Sequence, residues 1–156
     1  MPDVPRSHGL DRIDCAIVRT LGQTGRRSFA EIGAAIGLSP TSVAERVHRL
    51  ERSGVIEGYH ASVSAEKLGY HLTALILARP VGSDKRFAKL VEEQPEILQC
   101  HRVTGDVSFV AYAAVADVTH LERLLNRLEP AASYIQTLLI LSTAFVRPIA
   151  ELASAD

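Results

Sequence analysis

Hydrophobic positions along the chain follow two different rhythms. In the first third they recur at helical spacing: Ile13, Ile17 and Leu21, then Phe29, Ile32 and Ile36, then Val43, Val47 and Leu50. Each run carries its own punctuation. Asp11 stands where an N-cap belongs, and Ser28 followed by Glu31 forms a capping box. Gly37 closes the second run, Ser39 and Pro40 open the third, and Gly54 stops it. Three short helices are therefore predicted, the last two joined by a tight turn. Beyond Gly54, Val55 to Ala61 with Gly58 inside it reads as a short extended wing bearing Tyr59 and His60.

From residue 71 the rhythm changes. His71 to Pro80 is a short apolar run ended by proline, which predicts a strand buried on both faces. Asp84 to Gln94 puts Phe87, Leu90 and Val91 on one helical face. Ile97 to Thr104 and Val107 to Ala116 read as strands around Gly105-Asp106. Asp117 caps a helix with the stripe Val118, Leu121, Leu124, Leu125 and Leu128, and Ser133 to Val146 returns as a long strand. The order βαββαβ with right-handed crossovers gives a ferredoxin-like sheet with both helices on one face. The strands are nonetheless apolar on both sides: Leu72, Ala74 and Ile76 alternate with Leu75 and Leu77, as Leu138 and Ile140 do with Leu139 and Leu141. An uncovered face of that kind exceeds what monomers usually expose, so a second copy is expected over it.

The fold class expected is thus α+β, in this layout: 1–9 a loose arm, 10–60 a winged helical head, 61–70 a linker, 71–148 the ferredoxin-like βαββαβ domain and 149–156 a tail. Composition limits what the domains do. The net charge is −1, and the first 60 residues carry eight arginines against seven acids. Any affinity for a polyanion must then come from local placement of charge and from multiple copies. Cys15 and Cys100 lie far apart in apolar patterns, which suits reduced thiols. The six histidines show no metal-ligand spacing, so neither metal nor cofactor is expected. No signal-like opening or membrane-length apolar run is present, and the reading is a soluble cytoplasmic protein.

The third helix carries the chemistry. Val43, Val47 and Leu50 cluster within roughly 60° and face inward, leaving Thr41, Ser42, Glu45, Arg46, Arg49 and Arg52 outside. A short helix, a Gly-Leu turn and a second helix with a small polar first turn and outward arginines is the helix-turn-helix layout. Ser39, Thr41 and Ser42 suit phosphates or base edges of double-stranded DNA, and guanidinium groups suit phosphates or guanine. Tyr59 and His60 are placed to touch the DNA backbone from the wing, the alternative for Tyr59 being to pack on the first helix. An outward arginine should be removable with little loss of stability, so Arg49→Ala is expected to weaken DNA binding and leave the melting temperature nearly unchanged.

The stretch LSPTSVAERVHRLERSGVIEGYHA closely resembles the DNA-binding segment of the leucine- and asparagine-responsive Lrp/AsnC regulators. LDRIDCAIVRTL, Leu10 to Leu21, resembles that family's first helix, and the resemblance runs from Leu10 to about Pro148. It implies an amino-acid-sensing βαββαβ domain that pairs sheet to sheet and assembles further, often to octamers. It also implies an effector beside the hairpin that carries the family's Val-Ser/Thr-Gly-Asp motif, here Val103-Thr104-Gly105-Asp106. Amides near Gly105 would take the ligand carboxylate and Asp106 its ammonium, the alternative being that Asp106 only shapes the turn. Val118, Leu138, Leu139 and Ile140 align with positions that affect effector response in the family, the alternative, favoured for Leu139, being sheet and dimer core. Arg102 stands where the leucine-responsive pattern has an apolar residue, and Ser108 where it often has an acid. Both are expected to reshape the effector pocket, so leucine specificity is not carried over.

The function expected is a DNA-binding transcriptional regulator tuned by a small amino acid, acting as a homodimer or higher oligomer. Two rivals share the plan. Siroheme decarboxylases set histidine and arginine against a tetrapyrrole, and His101-Arg102 suggests that chemistry. An architectural DNA binder with weak sequence preference is the other.

Overall fold

The computed structural model describes residues 9–154, so the segment 1–8, most of the expected arm, lies outside the described residues. The chain divides into two compact units, 1–62 with 145–156, and 63–144.

The first unit holds α1 (Arg12–Gln23), α2 (Phe29–Ile36) and α3 (Pro40–Arg52). Their ends are fixed locally. Asp11 and Asp14 form a reciprocal capping box on α1, and Ser28 and Glu31 do the same on α2. Gly37 takes the left-handed conformation that ends α2 (φ 75°). Ile17, Ile32, Val43, Val47 and Leu50 are fully buried together with Ile13, Leu21 and Ile36 packed against them, so the three apolar stripes meet in one core; Phe29, read as part of the second stripe, is exposed instead. Gly33 makes the tight turn possible: a Cβ there would lie 2.4 Å from the Leu38 carbonyl oxygen.

The wing is not a strand pair. Among the described residues none between Ser53 and Tyr70 joins a sheet. The segment after Gly54 turns back on α3: the Val55 and Ile56 amides donate to the Leu50 carbonyl, and the Tyr59 hydroxyl donates to Glu51 Oε1 at 2.9 Å. Burial, then that bond, pushes the Tyr59 phenol up to about 12. The segment read as a tail also belongs to this unit. Its short 3₁₀ turn Ile149–Leu152 rests on α1, where a side chain at Gly22 would begin 2.3 Å from Ala150 Cβ.

The second unit is β1 (Leu72–Pro80), α4 (Asp84–Glu92), β2 (Ile97–Arg102), β3 (Phe109–Val115), α5 (Val118–Leu128) and β4 (Ala132–Leu139). The sheet order is β2-β3-β1-β4, antiparallel throughout, as the ferredoxin-like reading requires. Ala74, Ile76 and Ala78 face the helices with Phe109, Ala111, Ala113 and Val115, packed against Phe87, Val91, Leu121, Leu124 and Leu128. Directly paired residues share a face, so Leu75, Tyr112 and Leu138 lie together on the other side with Leu77 and Val110. Leu138 is 44% exposed there.

The last strand is shorter than expected. β4 pairs with β1 as far as Ala74↔Leu139, followed by Ile140 N–H donating to the Thr73 carbonyl. β1 begins at Leu72, so residues beyond 140 have no strand left to pair with although they remain apolar.

Candidate nucleic-acid interface and effector site

On α3, the Ser39 hydroxyl accepts from the Ser42 amide at 3.1 Å and donates to Ser42 Oγ at 2.9 Å. Pro40 begins the helix where no amide bond is lost. Thr41 and Glu45 are exposed, and Ser42, Glu45, Arg46, Arg49 and Arg52 line one shallow groove with Leu38. The structure thus brings the expected recognition residues together on one helical face.

Two of the arginines are not free. Arg46 Nη1 donates to Asp11 at 2.6 Å and to Asp14 at 2.8 Å, and Arg49 Nη2 reaches both Asp14 oxygens at 2.7 Å. Asp14 is 1% exposed. A buried carboxylate needs cationic partners, so α1 and α3 are bridged by charge as well as by their apolar stripes. The Asp14 amide lowers the Asp11 carboxyl most, and the Arg46 guanidinium adds to it. Arg49 remains half exposed, and its Nε and Nη1 make no hydrogen bond to any described residue, whereas Arg46 is three-quarters covered. Arg52 has no ion-pair partner among the described residues. Arg49 is therefore not the free outward arginine that the sequence suggested, and its removal takes two contacts from a buried carboxylate. The clue was in α1: Asp14 lies one helical turn before Ile17 on the core-facing side, and an acid there demands a cation.

In the sheet unit, Gly105 takes φ +113° in the hairpin between β2 and β3, and the Val103 amide donates to the Ser108 carbonyl at 2.9 Å. Arg79 fixes the turn from β1, its Nε donating to the Asp106 carbonyl at 2.8 Å and its Nη2 to the same oxygen. Sequence reasoning missed Arg79, because only the strand register brings it to a turn 27 residues away. Thr104 and Asp106 are exposed, and the Asp106 carboxylate makes no hydrogen bond to any described residue.

Arg102 is turned elsewhere. It pairs in register with Phe109, on the helix side of β2, and its Nη2 meets Asp84 of α4 at 2.6 Å. His101 pairs with Val110 on the opposite face. His101 and Arg102 therefore do not converge, which removes the arrangement that suggested tetrapyrrole chemistry. Val118 and Ile140 lie near the Leu72 end of β1, and the hairpin lies near Arg79. Within one chain the expected effector residues form two groups at opposite ends of the sheet.

A buried polar cluster joins β2 to α5. Glu96 Oε1 accepts from His120 Nε2 at 2.9 Å and Arg127 Nη2 at 2.6 Å, while Arg127 Nε donates to Gln94. Burial alone would raise the Glu96 carboxyl, but its own amide together with His120 and Arg127 holds it below the usual range. The Ala116 amide donates to His120 Nδ1, which leaves the proton on Nε2, facing Glu96.

Family models match both units: an AsnC-type helix-turn-helix domain over residues 10–51 and an Lrp/AsnC ligand binding domain over residues 74–149. An uncharacterized helix-turn-helix-type transcriptional regulator of Bacillus subtilis, YezC, is 37% identical over 139 residues, spanning 89% of this chain and 99% of its own. The structure of LrpC from B. subtilis superposes with a TM-score of 0.84 at 32% identity, over 88% of this chain and 99% of that one. A transcriptional regulator of Neisseria meningitidis in complex with L-methionine superposes with a TM-score of 0.82 at 27% identity, over 92% and 99%.

Proposed function

The chain belongs to the Lrp/AsnC family of transcriptional regulators, and from that premise we propose that its head reads duplex DNA through α3 while the hairpin Val103–Asp106 takes an amino-acid effector. It is a DNA-binding regulator with a small-molecule sensing domain. The observation that carries the DNA reading is the α1–α3 charge bridge. Asp14 holds the half-exposed Arg49 in the groove that it lines with Ser42 and with Arg52, which has no ion-pair partner among the described residues. Held in that way, a guanidinium loses less freedom when it meets a phosphate or a guanine edge.

A single head carries little net positive charge, so binding rests on at least two copies. The outer sheet face, with Leu75, Leu77, Val110, Tyr112 and Leu138, is the surface on which a second copy pairs, and dimers assemble into larger rings such as octamers. An amino-acid effector agrees with the relative crystallised with L-methionine. Asp106 offers the ammonium a carboxylate that has no partner among the described residues, and the amides about Gly105 are open to a carboxylate.

The test is a gel shift on DNA from the protein's own upstream region, with a salt titration. Sequence-specific retention that weakens in Ser42→Ala and Arg52→Ala is expected. Retention equal on unrelated DNA, with the same salt slope, would indicate an architectural binder instead.

A further inference from the structure

The groove between α4 and β2 belongs neither to the DNA face nor to the hairpin, and its volume of about 550 Å³ lies within the range of small-molecule sites. Ala88, Val91, Ile97, Leu98 and Phe109 form its apolar floor, and Asp84 and Arg102 stand on its rim, paired at 2.6 Å. A bulge shapes it. Ile97 pairs with Ala113 and Gln99 with Tyr112, so β2 carries one residue more than β3 at Leu98. Leu98 is thereby left 59% exposed at the groove.

We propose that this groove is a second small-molecule site, taking an α-amino acid with an apolar side chain. The argument is charge complementarity over an apolar floor. The zwitterion carries one anion and one cation a few atoms apart, and the rim offers one of each sign. On entry the ligand carboxylate takes the Arg102 fork and the ligand ammonium takes Asp84, so each protein charge exchanges its partner for another of the same sign. Asp84 also sits in the first turn of α4, where the helix favours its negative charge throughout the exchange. The ligand's side chain lies over Leu98 and covers apolar surface that is otherwise wet. An acidic or basic side chain would be left unpaired on that floor.

Cys100 lines the same groove and is exposed, whereas Cys15 is buried, so thiol labelling reports on this site alone. Burial pushes the Cys100 thiol up, and the assay is therefore run above neutral pH with a chromogenic disulfide. L-Leucine, L-methionine and L-phenylalanine should each be tried. At ten times its Kd the bound amino acid should slow labelling about tenfold. 4-Methylpentanoate, which lacks the ammonium, and isopentylamine, which lacks the carboxylate, should not protect. Asp84→Asn and Arg102→Gln should lose the protection with unchanged melting temperatures, and Asp106→Ala, at the hairpin, should keep it. The proposal is overturned if none of the three amino acids protects Cys100, or if either analogue protects as well as leucine. Protection that Asp106→Ala removes and Asp84→Asn retains overturns it too, because the hairpin would then be the site responsible.

Discussion

Replacing Arg49 by alanine should disturb the DNA-binding head in two separable ways. Asp14 is 1% exposed and accepts two of its three guanidinium contacts from Arg49, the third coming from Arg46. Breaking a buried pair outright costs about 3–5 kcal/mol. Here Arg46 stays in place and Arg49 is half exposed, so solvent screening reduces the loss to about 1–2 kcal/mol. In a head of this size that lowers the melting temperature by several degrees. Arg49→Ala should also weaken binding to the native operator by about 1–3 kcal/mol. A thermodynamic cycle separates the two effects: Asp14→Asn and Arg49→Ala, singly and together, followed by thermal unfolding and by fluorescence anisotropy on labelled operator DNA. The stability losses should be non-additive by about 1 kcal/mol, because both variants break the same contact. An unchanged melting temperature in Arg49→Ala, or strict additivity, would refute the bridge.

Leu75→Glu should leave a folded protein that elutes at the monomer volume. Ile76→Glu, which points to the helices and is 1% exposed, should abolish the cooperative transition of the sheet unit. Asp106→Ala should fold normally yet lose its thermal stabilisation by the amino acid that stabilises the wild type, and a retained shift would make Asp106 a turn residue only. Glu96 has a carboxyl held low in the fold, so its contribution is complete above the ordinary glutamate range and vanishes as pH falls below it. Glu96→Gln should accordingly flatten the dependence of stability on pH on the acid side, and an unaltered profile would show the cluster to be inert. Gly33→Ala should destabilise the head, since the new Cβ meets the backbone of the turn rather than a movable side chain.

Local chemistry made much of this fold legible in advance. A cap is written within four residues, so Asp11, Ser28 and Ser39 could be read as N-caps, and each is bonded as one. Gly37 and Gly54, read as helix stops, both adopt positive φ. Strand faces were legible only to within one position, because Leu75, Ile76 and Leu77 are all apolar. Register had to decide that Ile76 points inward. Features that depend on distant partners were hidden. Arg46 and Arg49 looked like free cations because their acids lie 32 and 35 positions away. Apolar residues past Leu139 looked like strand because composition does not show that β1 has ended. The candidate effector residues were aligned by resemblance alone, and such an alignment carries no information about which end of the sheet each one occupies.

That last point constrains any sensing mechanism. From Phe109 to Val115 β3 spans about 20 Å, and the hairpin lies at one end while Val118 and Ile140 lie at the other. No free amino acid bridges that length. If both groups respond to the effector, either a second copy brings its far end to the first copy's hairpin, or the response travels along β1, whose Arg79 grips the Asp106 carbonyl and whose Thr73 accepts from Ile140. The two routes separate cleanly. A shared site formed between copies requires effector affinity to fall with dilution of the protein and to be lost in Leu75→Glu, whereas a route along β1 leaves affinity intact in the monomer and is lost in Arg79→Ala.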